Sequence, residues 1–178
     1  MSKTNNFVFW VLCIIAWIIF VGLSIEAGGL IVNFIVSIYN PEFVQNLYQK
    51  LDLIQMYKES KLAFFGVYSF ILIISISKAC LFYTVILLMH KMDLSKPFST
   101  FVAKKISQVS YFALSIGLLS YVARHLVQDL KHYGFVPDNL NQFWVDSEAF
   151  IFMGAVIHII AIIFKKGVDI QNENDLTV

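Results

Sequence analysis

FVFWVLCIIAWIIFVGLSIEAGGLIVNFIVSIY, residues 7–39, carries a single charged side chain, Glu26, along its whole length. A helix needs about 20 apolar residues to cross the hydrocarbon core of a bilayer. This stretch exceeds that, so it predicts a membrane span that tilts or projects beyond the lipid. It starts close to Met1, where a signal peptide would lie. The apolar run continues too far for one, and Ser24-Ile25-Glu26-Ala27 is a poor small-x-small cleavage site, so an uncleaved first span is expected.

Three further stretches meet the same criterion: residues 62–89, 106–127 and 149–164. Pro41, Pro97 and Pro137 fall one in each of the connections between the four, where a residue that disrupts helix interiors belongs. Asp146 and Ser147 offer an N-cap before the last span. The composition agrees: 58% of the 178 residues are hydrophobic and 14% charged, against about half and a quarter in a soluble domain. The expected fold is all-α, a polytopic transmembrane four-helix bundle forming one domain.

Lys3, Lys91, Lys96, Lys104, Lys105, Lys165 and Lys166 flank one side of the spans, and Lys50, Lys58, Lys61 and Lys131 the other. That excess places both termini in the cytoplasm of a bacterial inner-membrane protein, with residues 165–178 as a cytoplasmic tail. In the first outer connection Phe43, Val44, Leu47, Tyr48, Leu51 and Ile54 recur at helical spacing. They predict an amphipathic helix over about 42–56, on the outer membrane surface or capping the bundle.

Within lipid, helices meet through small and polar residues. Gly22, Glu26, Gly29 and Asn33 form such a stripe in the first span. Ser110, Ala113, Gly117, Ser120 and Arg124 form one in the third, and Ser147, Gly154, His158 and Ala161 one in the fourth. The second span has a looser series, Gly66, Ser69, Ser77, Cys80 and Thr84. Alternating steps of four and three predict a left-handed bundle.

Ionisable residues inside spans are candidates for function. At 1.5 Å per residue, Glu26 lies about 28 Å past Phe7, Arg124 about 28 Å past Lys105, and Glu148 about 26 Å from Lys165. Glu26, Arg124, His125 and Glu148 are therefore expected in one outer layer. That layer reads either as a salt-bridged clasp that fixes helix register or as a binding or proton site. Lys78, about 20 Å from Lys91, is expected to snorkel to the inner headgroups or to make an interior contact, with His158 as a candidate partner. Asn33 and His158 complete the intramembrane polar set.

Several chemistries find no support. Axial haem ligands must share a depth, and His125 and His158 differ by roughly 20 Å; His158 reads as a hydrogen-bonded packing residue. Cys13 and Cys80 form no C-x-x-C, and no metal-ligand cluster, nucleophile elbow or phosphate loop is present, so neither metal nor cofactor is expected. A net charge of +1 makes no case for direct nucleic-acid binding.

Two stretches carry a resemblance. One is Asp93-Leu94-Ser95-Lys96-Pro97-Phe98, leading to Ala103-Lys104-Lys105-Ile106. The other is Phe164-Lys165-Lys166-Gly167, closing on Glu173-Asn174-Asp175-Leu176-Thr177-Val178. Together they resemble a family of small bacterial four-span membrane proteins defined as a domain of unknown function. Its members have a Pro-Phe pair before the third helix and end on an aromatic, two basic residues, Gly and a Glu-x-Asp-Leu-Thr-Val-like tail. The resemblance implies pairing with a small helix-turn-helix regulator and supplies no catalytic residues. It makes Glu173, Asp175, Leu176, Thr177 and Val178 candidate partner-binding residues.

The function expected from sequence is non-enzymatic: a regulatory, sensing or immunity-type protein working with a cytoplasmic partner. One rival is a small transporter or channel using Glu26, Lys78, Arg124 and His158, which with four spans would need to form a homo-oligomer. The other is a haem- or quinone-binding protein.

Overall fold

A computed structural model describes residues 3–40, 42, 44, 53–93, 97–132 and 138–176. Its order is α1 (Lys3–Tyr39), a short α2 (Ile54–Glu59), α3 (Lys61–Lys91), α4 (Thr100–His132), a 3-10 turn (Asp138–Phe143) and α5 (Ser147–Leu176), with no strand among the described residues. Four helices are long and apolar enough to cross a membrane, over Phe7–Tyr39, Lys61–Lys91, Thr100–Leu130 and Leu140–Glu173. The chain is an all-α, multi-pass four-helix bundle.

Local signals account for several boundaries. The Ser60 hydroxyl accepts from Ala63 N–H at 3.2 Å and starts α3. Ser99 starts α4 in the same way, through Val102 N–H at 3.2 Å. Asp146 stands at the N-cap of α5, where its carbonyl accepts from Phe150 N–H. Pro97 lies in the α3–α4 connection as expected, while Pro41 and Pro137 lie outside the described residues.

Consecutive spans run antiparallel. Tyr68 of α3 donates its hydroxyl to the Leu30 carbonyl of α1 at 3.1 Å, whereas Cys13 lies against His90 at the other end of the pair. Helix α3 packs on α1 and on α4, and α4 packs on α5. The N-terminus of α1, the α3–α4 connection and the C-terminus of α5 therefore share one side, the tail side. The opposite, cap side holds α2 and the 3-10 turn. Burial follows this order. In the most apolar window of α1 only 6% of residues are buried, against 39% in α4, so α1 offers most of its surface to lipid.

Much of the core lies toward the cap. Tyr57 of α2 meets the Phe64 ring edge-on at 5.1 Å, and Phe34 of α1 stacks on Tyr68 at 5.2 Å. Leu53, Met56 and Tyr57 are buried, so α2 is packed into the bundle end. Of the amphipathic helix expected over 42–56, residues 43 and 45–52 lie outside the described residues, and α2 covers its end from Ile54.

The contact face of α1 also differs from expectation. Ala16, Ala27, Leu30 and Ser37 are its buried residues. Gly22 is exposed, and Glu26 and Asn33 are only half-buried beside that face. A Cβ at Gly22 or Gly28 would meet nothing. The contact still uses small residues, Ala16, Ala27 and Ser37, but on a face one residue round from the expected stripe.

Candidate functional site

Helices α4 and α5 approach each other closely, backbone to backbone, and the sequence explains why. Ser110, Ala113, Gly117 and Ser120 of α4 are buried, as are Ser147, Gly154 and Ala161 of α5. A Cβ on Gly117 would sit 2.7 Å from Ile151 N and 2.9 Å from Ser147 O. A Cβ on Gly154 would sit 2.7 Å from Leu114 N. Each helix thus places a glycine against its neighbour's backbone, and both expected stripes are at the contact. Ile151, where the α5 stripe lacks a small residue, fills the space left by Gly117.

Two polar links sit along this seam. Near mid-span, Ser110 Oγ lies 3.2 Å from His158 Nδ1 and donates its only proton to the Ser107 carbonyl at 2.8 Å. His158 Nδ1 must therefore be the donor to Ser110. The Tyr111 ring packs on the same imidazole at 5.6 Å. Toward the cap, Arg124 forms a two-pronged ion pair with Glu148, and Nη1 reaches Oε2 at 3.4 Å. Ser147 Oγ donates to Glu148 Oε2 at 2.9 Å. The Tyr121 ring carries the Arg124 guanidinium on one contact (5.8 Å) and His125 on another (4.5 Å).

The expected outer layer is thus assembled from Arg124, His125 and Glu148, without Glu26. Glu26 makes no ion pair among the described residues. It belongs to α1, with α3 standing between that helix and α4. The cross-helix pairs Phe20–Tyr83, Leu30–Tyr68 and Lys91–Phe101 put it about 9 Å deeper than Arg124 at 1.5 Å per residue. Counting depth from Phe7 failed because Cys13 is level with His90, so Phe7 lies about 9 Å beyond that level, past the tail-side end of α3.

Lys78 also departs from expectation. It is half-buried, and its ammonium stands 5.7 Å from the centroid of the Phe150 ring on α5. It therefore reaches toward the cap side of the bundle instead of snorkelling to the tail side or meeting His158. A cation over an aromatic face is one of the few favourable arrangements for an ammonium inside a span.

On the tail side, the two sequence stretches that carry the family resemblance touch. The Phe98 ring fills the place of a Cβ on Gly167, at 2.5 Å, and lies 5.2 Å from the Phe164 ring. Gly167 therefore makes room for Phe98 and does not end the helix. Helix α5 continues to Leu176, with Val168 buried. The tail expected over residues 165–178 continues the last helix as far as Leu176. Glu173, Asp175 and Leu176 are on it, and Thr177 and Val178 lie outside the described residues.

One residue of the cap carries no signal in the sequence. Trp144, fully buried between the 3-10 turn and α5, closes a cavity between α3 and α4. A lone tryptophan in a connection, away from any helical stripe, carries no pattern that would single it out. Among the described residues no group of three or more His, Cys, Asp or Glu is arranged to hold a metal ion. Comparison with protein-family models, curated proteins and solved structures finds no match.

Proposed function

We propose that this chain is a non-enzymatic regulatory or sensing protein of the bacterial inner membrane, with both termini in the cytoplasm and a cytoplasmic partner at its tail. The observation that carries the reading is the unbroken run of α5 from the Arg124–Glu148 clasp on the cap side to Leu176 on the tail side. A single helix zipped to α4 by reciprocal glycines transmits displacement as a body, because a close-packed interface deforms little. The Phe98–Gly167 contact ties the tail end of that helix to the α3–α4 connection, so both elements facing a partner would move together. The lysine excess on the tail side supports its cytoplasmic placement.

The partner is a helix-turn-helix regulator, as the family resemblance implies. Full-length protein and a form lacking residues 169–178, each solubilised from its native membrane, test this. A DNA-binding regulator should co-purify with the first and be lost from the second. Identical partners for both would remove the tail from the mechanism.

A second reading, an oligomeric transporter or channel, draws on Lys78, a half-buried cation within α3. Ion flux into proteoliposomes that Lys78→Met abolishes would favour it. Flux equal to that of empty vesicles would dismiss it.

A further inference from the structure

Two ionisable side chains inside the spans lack a counter-ion in their own chain. Glu26 on α1 and Lys78 on α3 are both half-buried, and neither makes an ion pair or a hydrogen bond among the described residues. The Phe150 ring gives the Lys78 ammonium a favourable contact at 5.7 Å but no negative charge. Charged residues within a span are rare, and they pair with one another or with backbone carbonyls.

The two charges stand at one depth. Glu26 lies about 9 Å deeper than Arg124, which is about six residues along α4 and brings it level with Leu118. Gly117 lies against Ile151 and Gly154 against Leu114, so Leu118 is level with Phe150 of α5. The Lys78 ammonium rests on that same Phe150. Yet the charges do not meet within one chain. Helix α1 packs on α3 with Glu26 beside the contact face, while Lys78 extends from α3 toward α5.

Copies of a membrane protein share one orientation, so groups on two copies pair only at a common depth. Glu26 and Lys78 meet that condition with opposite charge, which makes the chain complementary to itself. Lipid at this level offers neither charge nor hydrogen bond. We propose that the chain forms a two-fold homodimer in the membrane, in which Glu26 of each copy pairs with Lys78 of the other. A two-fold axis along the membrane normal forms the pair twice, as an interface of this symmetry requires. The dimer holds whether or not the tail recruits a regulator.

Native mass spectrometry of the full chain, released from detergent, tests this through charge reversal. The unaltered protein should be dimeric. Glu26→Lys opposes two cations and should be monomeric, and Lys78→Glu should be monomeric because it opposes two anions. Co-expressed with different tags, these two variants should form a mixed dimer, since each supplies the charges that the other lacks. Pairing within one chain could not give that result. Glu26→Gln and Lys78→Met, milder changes that remove charge, should each weaken the dimer at least about tenfold. A monomeric unaltered protein would overturn the proposal. So would a dimer that Glu26→Gln leaves at full strength, or charge-reversed variants, each helical by circular dichroism, that fail to join.

Discussion

The α4–α5 and α1–α3 seams solve the same packing problem in opposite ways. The first brings two backbones together through Gly117 and Gly154 and adds the Ser110–His158 and Arg124–Glu148 links. The second is filled with rings, Phe20 on Tyr83 and Phe34 on Phe65 and Tyr68, with one buried hydrogen bond from Tyr68 to Leu30. Where backbones touch there is no slack, so a seam of this kind suits a rigid body. A seam of large side chains tolerates changes of side-chain packing, and α1, mostly lipid-facing, is its outer member.

The contrast is sharpest at the glycines. Gly154→Leu should destabilise the bundle by about 3 kcal/mol, because the new side chain meets the Leu114 backbone, which cannot swing aside. Gly22→Leu should change stability by less than about 0.5 kcal/mol. Thermal unfolding of both variants in detergent measures this, and equal effects would erase the distinction between the seams. Gly167→Val should fall between them, since the obstacle is the Phe98 ring, a side chain able to rotate away. Easier proteolysis of the α3–α4 connection would report that release.

Polar links give smaller effects. Tyr68→Phe should cost about 1 kcal/mol by removing the hydroxyl's bond to the Leu30 carbonyl. Ser110→Ala should cost about 0.6 kcal/mol, an average value for a hydrogen bond between membrane helices. Smallest of all is Glu148→Gln. Glu148 is exposed and its ion pair with Arg124 is open to solvent, so the unfolding midpoint should not move measurably. A clear loss of stability there would make the clasp structural in a way its exposure does not suggest.

The same contrast explains what could be read from sequence. The α4–α5 face was legible because small and polar residues inside a span have few reasons to be there other than a neighbouring helix, and Ser110, Gly117, Gly154 and His158 fall where their spacing predicts. The α1 face was misread for the same reason. Gly22, Glu26 and Asn33 form a regular stripe, but the true contact runs one residue over, through Ala16, Ala27 and Leu30. Ala16 and Ala27 stand eleven residues apart and do not show as a stripe beside the closely spaced Gly22, Glu26, Gly29 and Asn33. Depth arithmetic placed Arg124 and Glu148 together because both helices enter the membrane near a lysine, and misplaced Glu26, whose helix has no such marker at its lipid boundary. Trp144 is a site residue only through what surrounds it, and no local spacing encodes that. The Phe98–Gly167 contact lay hidden in plain view: both halves were singled out by resemblance, while their meeting is a property of the fold.

Cysteine accessibility in spheroplasts tests most directly the proposed orientation, with the tail side in the cytoplasm and the cap outside. With Cys13 and Cys80 replaced by serine, a single cysteine is placed at exposed Asn141 in the cap or at exposed Lys166 on the tail side. A membrane-impermeant maleimide should label the Asn141→Cys protein in intact spheroplasts and the Lys166→Cys protein only after lysis. Labelling of the Lys166→Cys protein from outside, with the Asn141→Cys protein protected, would contradict the orientation and with it a tail that meets a cytoplasmic partner.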